Sequence, residues 1–194
     1  MESKVKVAGH PVHPMLVAFP LGLLTTAVIF DLMFLVSGNP VWTLVSYYMI
    51  GAGVIGGLAA ALFGWLDWFA IPGGTRAQRI GLWHGLGNVV VLALFGLSWV
   101  LRRENPVLPP TAAIIAGLMG VVLMAITAWL GGELVDRLGV GVAEGAHLDS
   151  PSSLSGLPAG GGLGASSRVL YAGPERRKAP AAAYAGVNRR ATLA

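Results

Sequence analysis

Three histidines and their polar neighbours are the residues of this sequence best suited to chemistry. His10 and His13 stand in the string H-P-V-H-P, and Asn88 follows His84 by four residues. Imidazole nitrogens bind zinc, copper, iron and haem iron, and carboxylates complete many such sites. The carboxylates considered with them are Asp67, Glu133 and Asp136. Because the chain has no cysteine, thiolate zinc sites, cysteine-bound iron–sulfur clusters and disulfides are excluded.

The composition places these residues in a membrane protein. Of the 194 residues, 55% are hydrophobic and 11% are charged, whereas a soluble domain carries about 25% charged residues. A soluble globule of this length would need more charge to cover its surface, so an ordinary cytosolic enzyme is excluded. Most of the net charge of +4 comes from the C-terminal tail, so the charge predicts no nucleic-acid-binding face.

Four long apolar segments must position the histidines. They run over about residues 14–37, 42–71, 80–101 and 111–135, and each is long enough to cross the hydrocarbon core as a helix. The first is too long for the core of a signal peptide, so we interpret it as a retained span. Gly, Asn and Pro clusters that are typical of turns separate the segments. The sequence therefore predicts an all-α fold, a four-helix transmembrane bundle over residues 1–138.

The remaining residues, 139–194, are rich in Gly, Ala, Pro and Ser and carry basic groups, which predicts a flexible, disordered tail. The pattern Y-A-G-x-x-R-R occurs in it twice, at 171–177 and 184–190. Three interpretations of this repeat stay open: a motif for a protein partner, an attraction to anionic lipid, or a solvated basic tail.

The basic residues near the span ends predict the orientation in a bacterial inner membrane. One side of a four-span chain would carry Lys4, Lys6, Arg76, Arg79 and Arg137. The other side would carry only Arg102 and Arg103. Because basic residues accumulate on the cytoplasmic side, this distribution favours cytoplasmic positions for both termini.

Because successive spans cross the membrane in opposite directions, the residues that could bind a cofactor fall at one membrane surface. His10 and His13 precede the first span, Asp67 ends the second, His84 and Asn88 begin the third, and Glu133 and Asp136 end the fourth. Asp31 is the exception and falls near the opposite surface. Ionisable groups within spans are costly, so they are candidates for function.

We therefore predict a cofactor site at this surface that binds haem b or a divalent metal ion. His13 and His84 are the first candidates as ligands and His10 the third, with Glu133 and Asp136 as weaker metal ligands. Asp67 and Asn88 would orient the imidazoles. The prolines that follow His10 and His13 predict extended backbone at both histidines, ahead of a helix that has Pro14 in its first turn.

Other interpretations remain open. The polar residues could be structural, with Asp67 pairing to a loop arginine. A non-enzymatic scaffold or assembly partner, including a homo-oligomer, would use the basic tail and the small residues Ala52, Gly56, Ala60 and Gly64. Such a ridge of small residues also suits packing within one bundle. A proton-coupled or metal transporter would use Asp31 and the histidines at opposite ends of a path. The sequence contains no hydrolase or Walker motif, which favours a role other than catalysis.

The segment G-H-P-V-H-P-M-L-V-A-F-P at 9–20 resembles the opening of the DUF2231 family of predicted membrane proteins, and W-H-G-L-G-N at 83–88 resembles its third span. The resemblance covers about residues 8–138. It implies a four-span bundle and by itself assigns no activity. Some relatives are joined to or encoded near redox modules, which implies electron transfer with a membrane redox partner.

Overall fold

A bundle of four long helices dominates the computed structural model, which describes residues 1–161. The helices are α1 (Val12–Ser37), α2 (Val41–Phe69), α3 (Arg76–Leu101) and α4 (Thr111–Gly132), and a π-helical turn, Glu133–Arg137, continues α4. All four helices are long and apolar enough to cross a membrane. The predicted all-α, four-span fold is confirmed, and the predicted spans differ from the helices by only a few residues at each end.

Local signals in the sequence set the helix ends. Gly38 closes α1 in the left-handed conformation, with φ of +68°, and its N–H donates to the carbonyl of Phe34. Thr75 caps α3, where its hydroxyl accepts from the backbone N–H of Gln78 at 3.1 Å. Both are standard ways of satisfying backbone groups that a helix end leaves without partners.

A short β-hairpin precedes the bundle. Strands β1 (Lys6–Val7) and β2 (His10–Pro11) pair antiparallel, and the turn residues Ala8 and Gly9 have φ of +51° and +80°. Two successive residues with positive φ are typical of the tight hairpin turns that suit twisted strands. His10 is thus extended, as predicted, and lies in the hairpin.

His13 does not lie in the extended segment that the sequence predicts. It is the second residue of α1, and Pro14 follows it in the first turn of that helix. A proline there costs no hydrogen bond, because the first N–H groups of a helix lack intrahelical acceptors. The preference of a residue before proline for extended backbone is therefore overridden at His13, which gains a fixed place on a helix.

The helices pack as two hairpins, α1 with α2 and α3 with α4, at contacts that glycines make possible. A Cβ at Gly53 of α2 would lie 2.6 Å from Leu24 of α1, and one at Gly120 of α4 would lie 2.7 Å from Phe95 of α3. A Cβ at Gly56, within the predicted small-residue ridge, would lie 3.5 Å from the Cβ of Phe19 in α1. The ridge of α2 therefore packs inside the chain, where missing side chains let helix backbones approach.

The two hairpins are built alike. Five pairs of buried or partly buried residues, one member in α1 and the other in α3, are each 71 positions apart in the sequence, and we call such equally spaced positions matching. The matching positions in α1 and α3 are His13/His84, Pro20/Val91, Leu24/Phe95, Ala27/Ser98 and Asp31/Arg102, and all but the first pair are fully buried. In α2 and α4 the matching buried positions are Ser46/Ala113, Ile50/Gly117, Gly53/Gly120, Gly57/Met124 and Ala60/Thr127. The buried residues are therefore spaced in the same way along the helices of the first and the second hairpin.

Equivalent residues also meet each other across the bundle. His13 contacts His84, and Asp31 pairs with Arg102. In an arrangement with two-fold symmetry, a residue near the axis faces its own counterpart. The bundle therefore approximates two copies of one helical hairpin related by a two-fold axis. This axis passes between the two members of each pair, between His13 and His84 and between Asp31 and Arg102.

We expect Gly53→Ala to destabilise the bundle, because the new methyl group would meet Leu24, which is almost fully buried. Overpacking of a filled core costs about 1–3 kcal/mol. The matched control is Gly22→Ala, since Gly22 is an exposed helical glycine with no heavy atom within 4 Å of the added Cβ. Unfolding by SDS in detergent micelles measures both variants, and equal stability of the two would contradict this packing.

The residues after α4 belong mostly to a second compact unit. Contacts divide the chain into Met1–Val142 and Ala143–Ala194. The described part of the second unit, 143–161, contains turns and neither helix nor strand. Both copies of the Y-A-G-x-x-R-R pattern lie outside the described residues, so that interpretation of the tail stays a prediction.

Candidate two-histidine site

His13 is fixed by the second helix of its own hairpin. Its Nδ1 lies 2.9 Å from the carbonyl oxygen of Ala60. Its ring packs against Gly64, where an added Cβ would lie only 2.9 Å from Cε1 of the ring. A carbonyl oxygen only accepts, so Nδ1 carries the proton. Nε2 is then the nitrogen with the lone pair, and among the described residues it has no hydrogen-bond partner.

His84 repeats this arrangement in the other hairpin. Its Nδ1 lies 2.8 Å from the carbonyl oxygen of Thr127, and a Cβ at Gly131 would lie 3.0 Å from its Cε1. The proton is again on Nδ1, which leaves the lone pair on Nε2. Here Nε2 has a partner, because Nδ2 of Asn88 lies 3.2 Å away and donates to it.

Asn88 is held by two further hydrogen bonds. Its Nδ2 donates to the carbonyl of His84 at 2.9 Å, and its Oδ1 accepts from the hydroxyl of Thr127 at 3.0 Å. The contact to a carbonyl, which only accepts, identifies Nδ2 as the atom that faces His84. Asn88 thus lies against His84, as the sequence predicts for residues four apart on one helix face.

The two imidazoles lie close together, toward the end of the bundle at which α1 and α3 begin. Their ring centres are 6.4 Å apart and their planes are nearly perpendicular, at 88°. For comparison, two imidazoles that bind one ion through Nε2 have ring centres roughly 5–6.5 Å apart, depending on the nitrogen–metal–nitrogen angle, given metal–nitrogen bonds of about 2.0–2.1 Å. The ring centres of His13 and His84 are therefore about as far apart as those of two imidazoles bound to one ion.

The larger cluster that the sequence predicts does not assemble around this pair. Within residues 1–161 no group of three or more His, Asp or Glu residues comes together in a way that could hold a metal ion. His10 lies in the β-hairpin, Glu133 forms an ion pair with Arg76 at 2.6 Å, and Asp136 lies exposed in the π-helical turn. The candidate site is reduced to two imidazoles and Asn88.

Asp67 binds the N-terminal segment. Both of its carboxylate oxygens accept from the hydroxyl of Ser3, at 2.7 and 2.6 Å, and Oδ1 also accepts from the backbone N–H of Lys4 at 2.8 Å. Asp67 lies three residues beyond Gly64 on α2, so the segment is tied down within one turn of the His13 ring. The groups that orient the imidazoles are backbone carbonyls, whereas the sequence suggested this role for Asp67.

A buried ion pair lies on the same axis, toward the opposite end of the bundle. Arg102 donates to both carboxylate oxygens of Asp31, at 2.8 and 2.6 Å, and both side chains are almost wholly inaccessible to solvent. Nε of Arg102 donates to the hydroxyl of Ser98 at 3.2 Å, and that hydroxyl donates to the carbonyl of Ala113 at 2.6 Å. Sequence reasoning counted Arg102 as a loop charge and missed this pair, which links α1 to α3.

The family model of DUF2231, described as predicted membrane protein, matches residues 9–144. The chain belongs to the DUF2231 family. The match includes both hairpins, the two histidines, Asn88 and the Asp31–Arg102 pair. No curated protein and no solved structure matches the chain. This DUF2231 protein is thus a multi-pass membrane protein whose helices lie in a lipid bilayer.

Proposed function

We propose that this DUF2231 protein binds a transition metal ion, alone or as haem iron, between His13 and His84 and uses it in membrane electron transfer. The single observation that carries the proposal is the state of the two rings. Each has its Nδ1 proton committed to a backbone carbonyl, so Nε2 is the nitrogen that would coordinate; it has no hydrogen-bond partner among the described residues in His13 and accepts from Asn88 in His84. Metal-binding histidines commonly have this second hydrogen bond, which fixes the tautomer and the ring orientation.

The site favours electron transfer over catalysis for two reasons. If His13 and His84 together held a haem iron, no ligand position would remain for a substrate. In addition, neither ring has a serine or threonine hydroxyl hydrogen-bonded to its Nε2 among the described residues, so no nucleophile is prepared for attack. Electrons would pass between this site and a membrane redox partner.

The test is to purify the full chain from bacterial membranes in detergent and to record its optical spectrum and metal content. We expect either a Soret band that shifts on reduction with dithionite or about one equivalent of a redox-active metal, copper or iron. If the protein as isolated is empty, titration with Cu²⁺ and with ferric haem completes the test. A protein that contains neither and binds neither would overturn the proposal.

We further propose that the bilayer is the bacterial inner membrane and that both termini are cytoplasmic. The burial of Arg102 against Asp31 supports this orientation, because it removes a basic residue from the loop between α3 and α4. Of the two basic residues assigned to the outer side, Arg103 alone then remains exposed in the loop. The opposite surface keeps five basic residues at its span ends, which is the distribution expected of a cytoplasmic side.

The absence of natural cysteine makes the orientation directly measurable. We expect Asn39→Cys, between α1 and α2, to react with a membrane-impermeant maleimide in intact spheroplasts. The matched variant Gly73→Cys, between α2 and α3, should react only after the membrane is opened. The reverse pattern would contradict cytoplasmic termini.

A further inference from the structure

The two halves of the histidine site differ at two matching positions, although the hairpins that build them correspond. The position that matches Asn88 in the first hairpin is Val17, and the position that matches Thr127 is Ala60. Neither valine nor alanine has a side-chain donor or acceptor. The hydrogen-bond chain from Thr127 through Asn88 to Nε2 of His84 therefore has no counterpart at His13.

This difference changes the availability of the two lone pairs. Nε2 of His13 has no hydrogen-bond partner among the described residues, whereas Nε2 of His84 accepts from Asn88 at 3.2 Å. A nitrogen cannot accept a hydrogen bond and bind a metal with the same lone pair. A metal ion that reaches both rings must therefore displace the Asn88 amide from His84.

We propose that Asn88 is a positioning residue that occupies the His84 lone pair in the empty protein and thereby weakens metal binding at that half of the site. His13 is then the first ligand, and His84 coordinates only after the Asn88 side chain moves away. The inference rests on the proposed function, because it assumes that both rings bind one metal.

The substitution that tests this proposal is Asn88→Val, which gives the second hairpin the residue type that Val17 supplies at the matching position of the first. Thr127 keeps a partner in this variant, since its hydroxyl also lies 3.0 Å from the carbonyl of Met124. In the natural chain, metal binding must break the hydrogen bond from Asn88 to His84, whereas in the variant this bond is absent. The net contribution of a typical hydrogen bond corresponds to about a three- to tenfold change in a binding constant. We expect Asn88→Val to bind Cu²⁺ about three- to tenfold more tightly than the natural chain.

The reciprocal variant carries Val17→Asn and Ala60→Thr together, which builds the missing chain at His13. We expect it to bind Cu²⁺ several-fold more weakly than the natural chain. Unfolding by SDS identifies any variant that fails to fold, and in that case the single change Asn88→Val decides alone.

A spectroscopic measurement separates positioning from a merely structural role. The chain has four histidines, so the ¹⁵N resonances of selectively labelled imidazoles can be assigned by substitution. We expect the Nε2 resonance of His84 in the metal-free protein to move, in Asn88→Val, toward the value of a nitrogen without a hydrogen bond. The Nε2 resonance of His13 should stay unchanged.

The outcomes are distinguishable. If the natural chain and Asn88→Val bind Cu²⁺ equally tightly, or if the His84 resonance does not move, the proposed role of Asn88 is overturned. The proposed function is not affected by either result. Failure of both proteins to bind Cu²⁺ and ferric haem would overturn the proposed function and this inference with it.

Discussion

Replacing Asp31 with leucine is expected to lower the free energy of unfolding by about 3–5 kcal/mol, because it leaves the guanidinium of Arg102 buried without its counter-charge. Arg102 is fully inaccessible and Asp31 is 1% exposed, so water cannot compensate for the loss. The two remaining contacts of Arg102, to the hydroxyls of Ser98 and Ser46, supply no negative charge. Unfolding by SDS in mixed micelles measures the effect.

Two matched variants show whether the pairing itself is responsible. Arg103→Leu changes the neighbouring arginine, which is exposed, and should alter stability by less than about 0.5 kcal/mol. The double variant Asp31→Leu with Arg102→Met removes both charges and should recover most of the loss, since apolar replacements of a buried pair are often neutral. A single Asp31→Leu variant as stable as Arg103→Leu would show that the pair does not form.

Removing either histidine of the pair is expected to weaken metal binding by more than about 100-fold. Loss of an outer partner of a metal ligand already costs 10- to 100-fold, and His13→Ala or His84→Ala removes a ligand itself. The double variant should bind no more weakly than either single variant, because one imidazole cannot hold the ion between the helices. Equilibrium titration with Cu²⁺ measures all three.

His10→Ala is the control for these titrations. His10 lies three residues before His13 in the chain but belongs to the β-hairpin, so its removal should leave the affinity within about twofold of the natural value. An affinity lost equally in His10→Ala and His84→Ala would place the metal elsewhere and contradict the two-histidine site.

The four spans could be read from the sequence because lipid imposes a simple rule on it. A helix that crosses the bilayer must be apolar over about 20 residues, and turn residues such as Gly38 and the Pro72-Gly73-Gly74 run mark where each helix stops. The adjacency of Asn88 and His84 was equally predictable, since it depends only on helical periodicity.

The partners of the ionisable residues could not be read in the same way. Arg102 lies at the end of α3 and has the sequence context of a loop charge, yet its guanidinium reaches back into the core to Asp31. The imidazoles bind backbone carbonyls of Ala60 and Thr127, and every residue type offers a carbonyl. Such contacts depend on the relative rotation of helices, which composition does not encode.

The likeness of the two hairpins was also hidden in the sequence. Apart from His13/His84 and Gly53/Gly120, the matching pairs differ in residue type, as with Leu24 and Phe95, or even in charge, as with Asp31 and Arg102. What the hairpins share is burial and close approach at glycines such as Gly53 and Gly120. These are properties of packing that a search for repeated residues passes over.

Coordination of one metal by His13 and His84 is the central claim, and X-ray absorption at the copper edge of the loaded protein tests it most directly. The account predicts the scattering pattern of two imidazoles bound to one copper, reduced to at most one imidazole in His13→Ala and in His84→Ala. Copper bound without imidazole scattering, or a two-imidazole pattern that persists when both histidines are replaced, would contradict it.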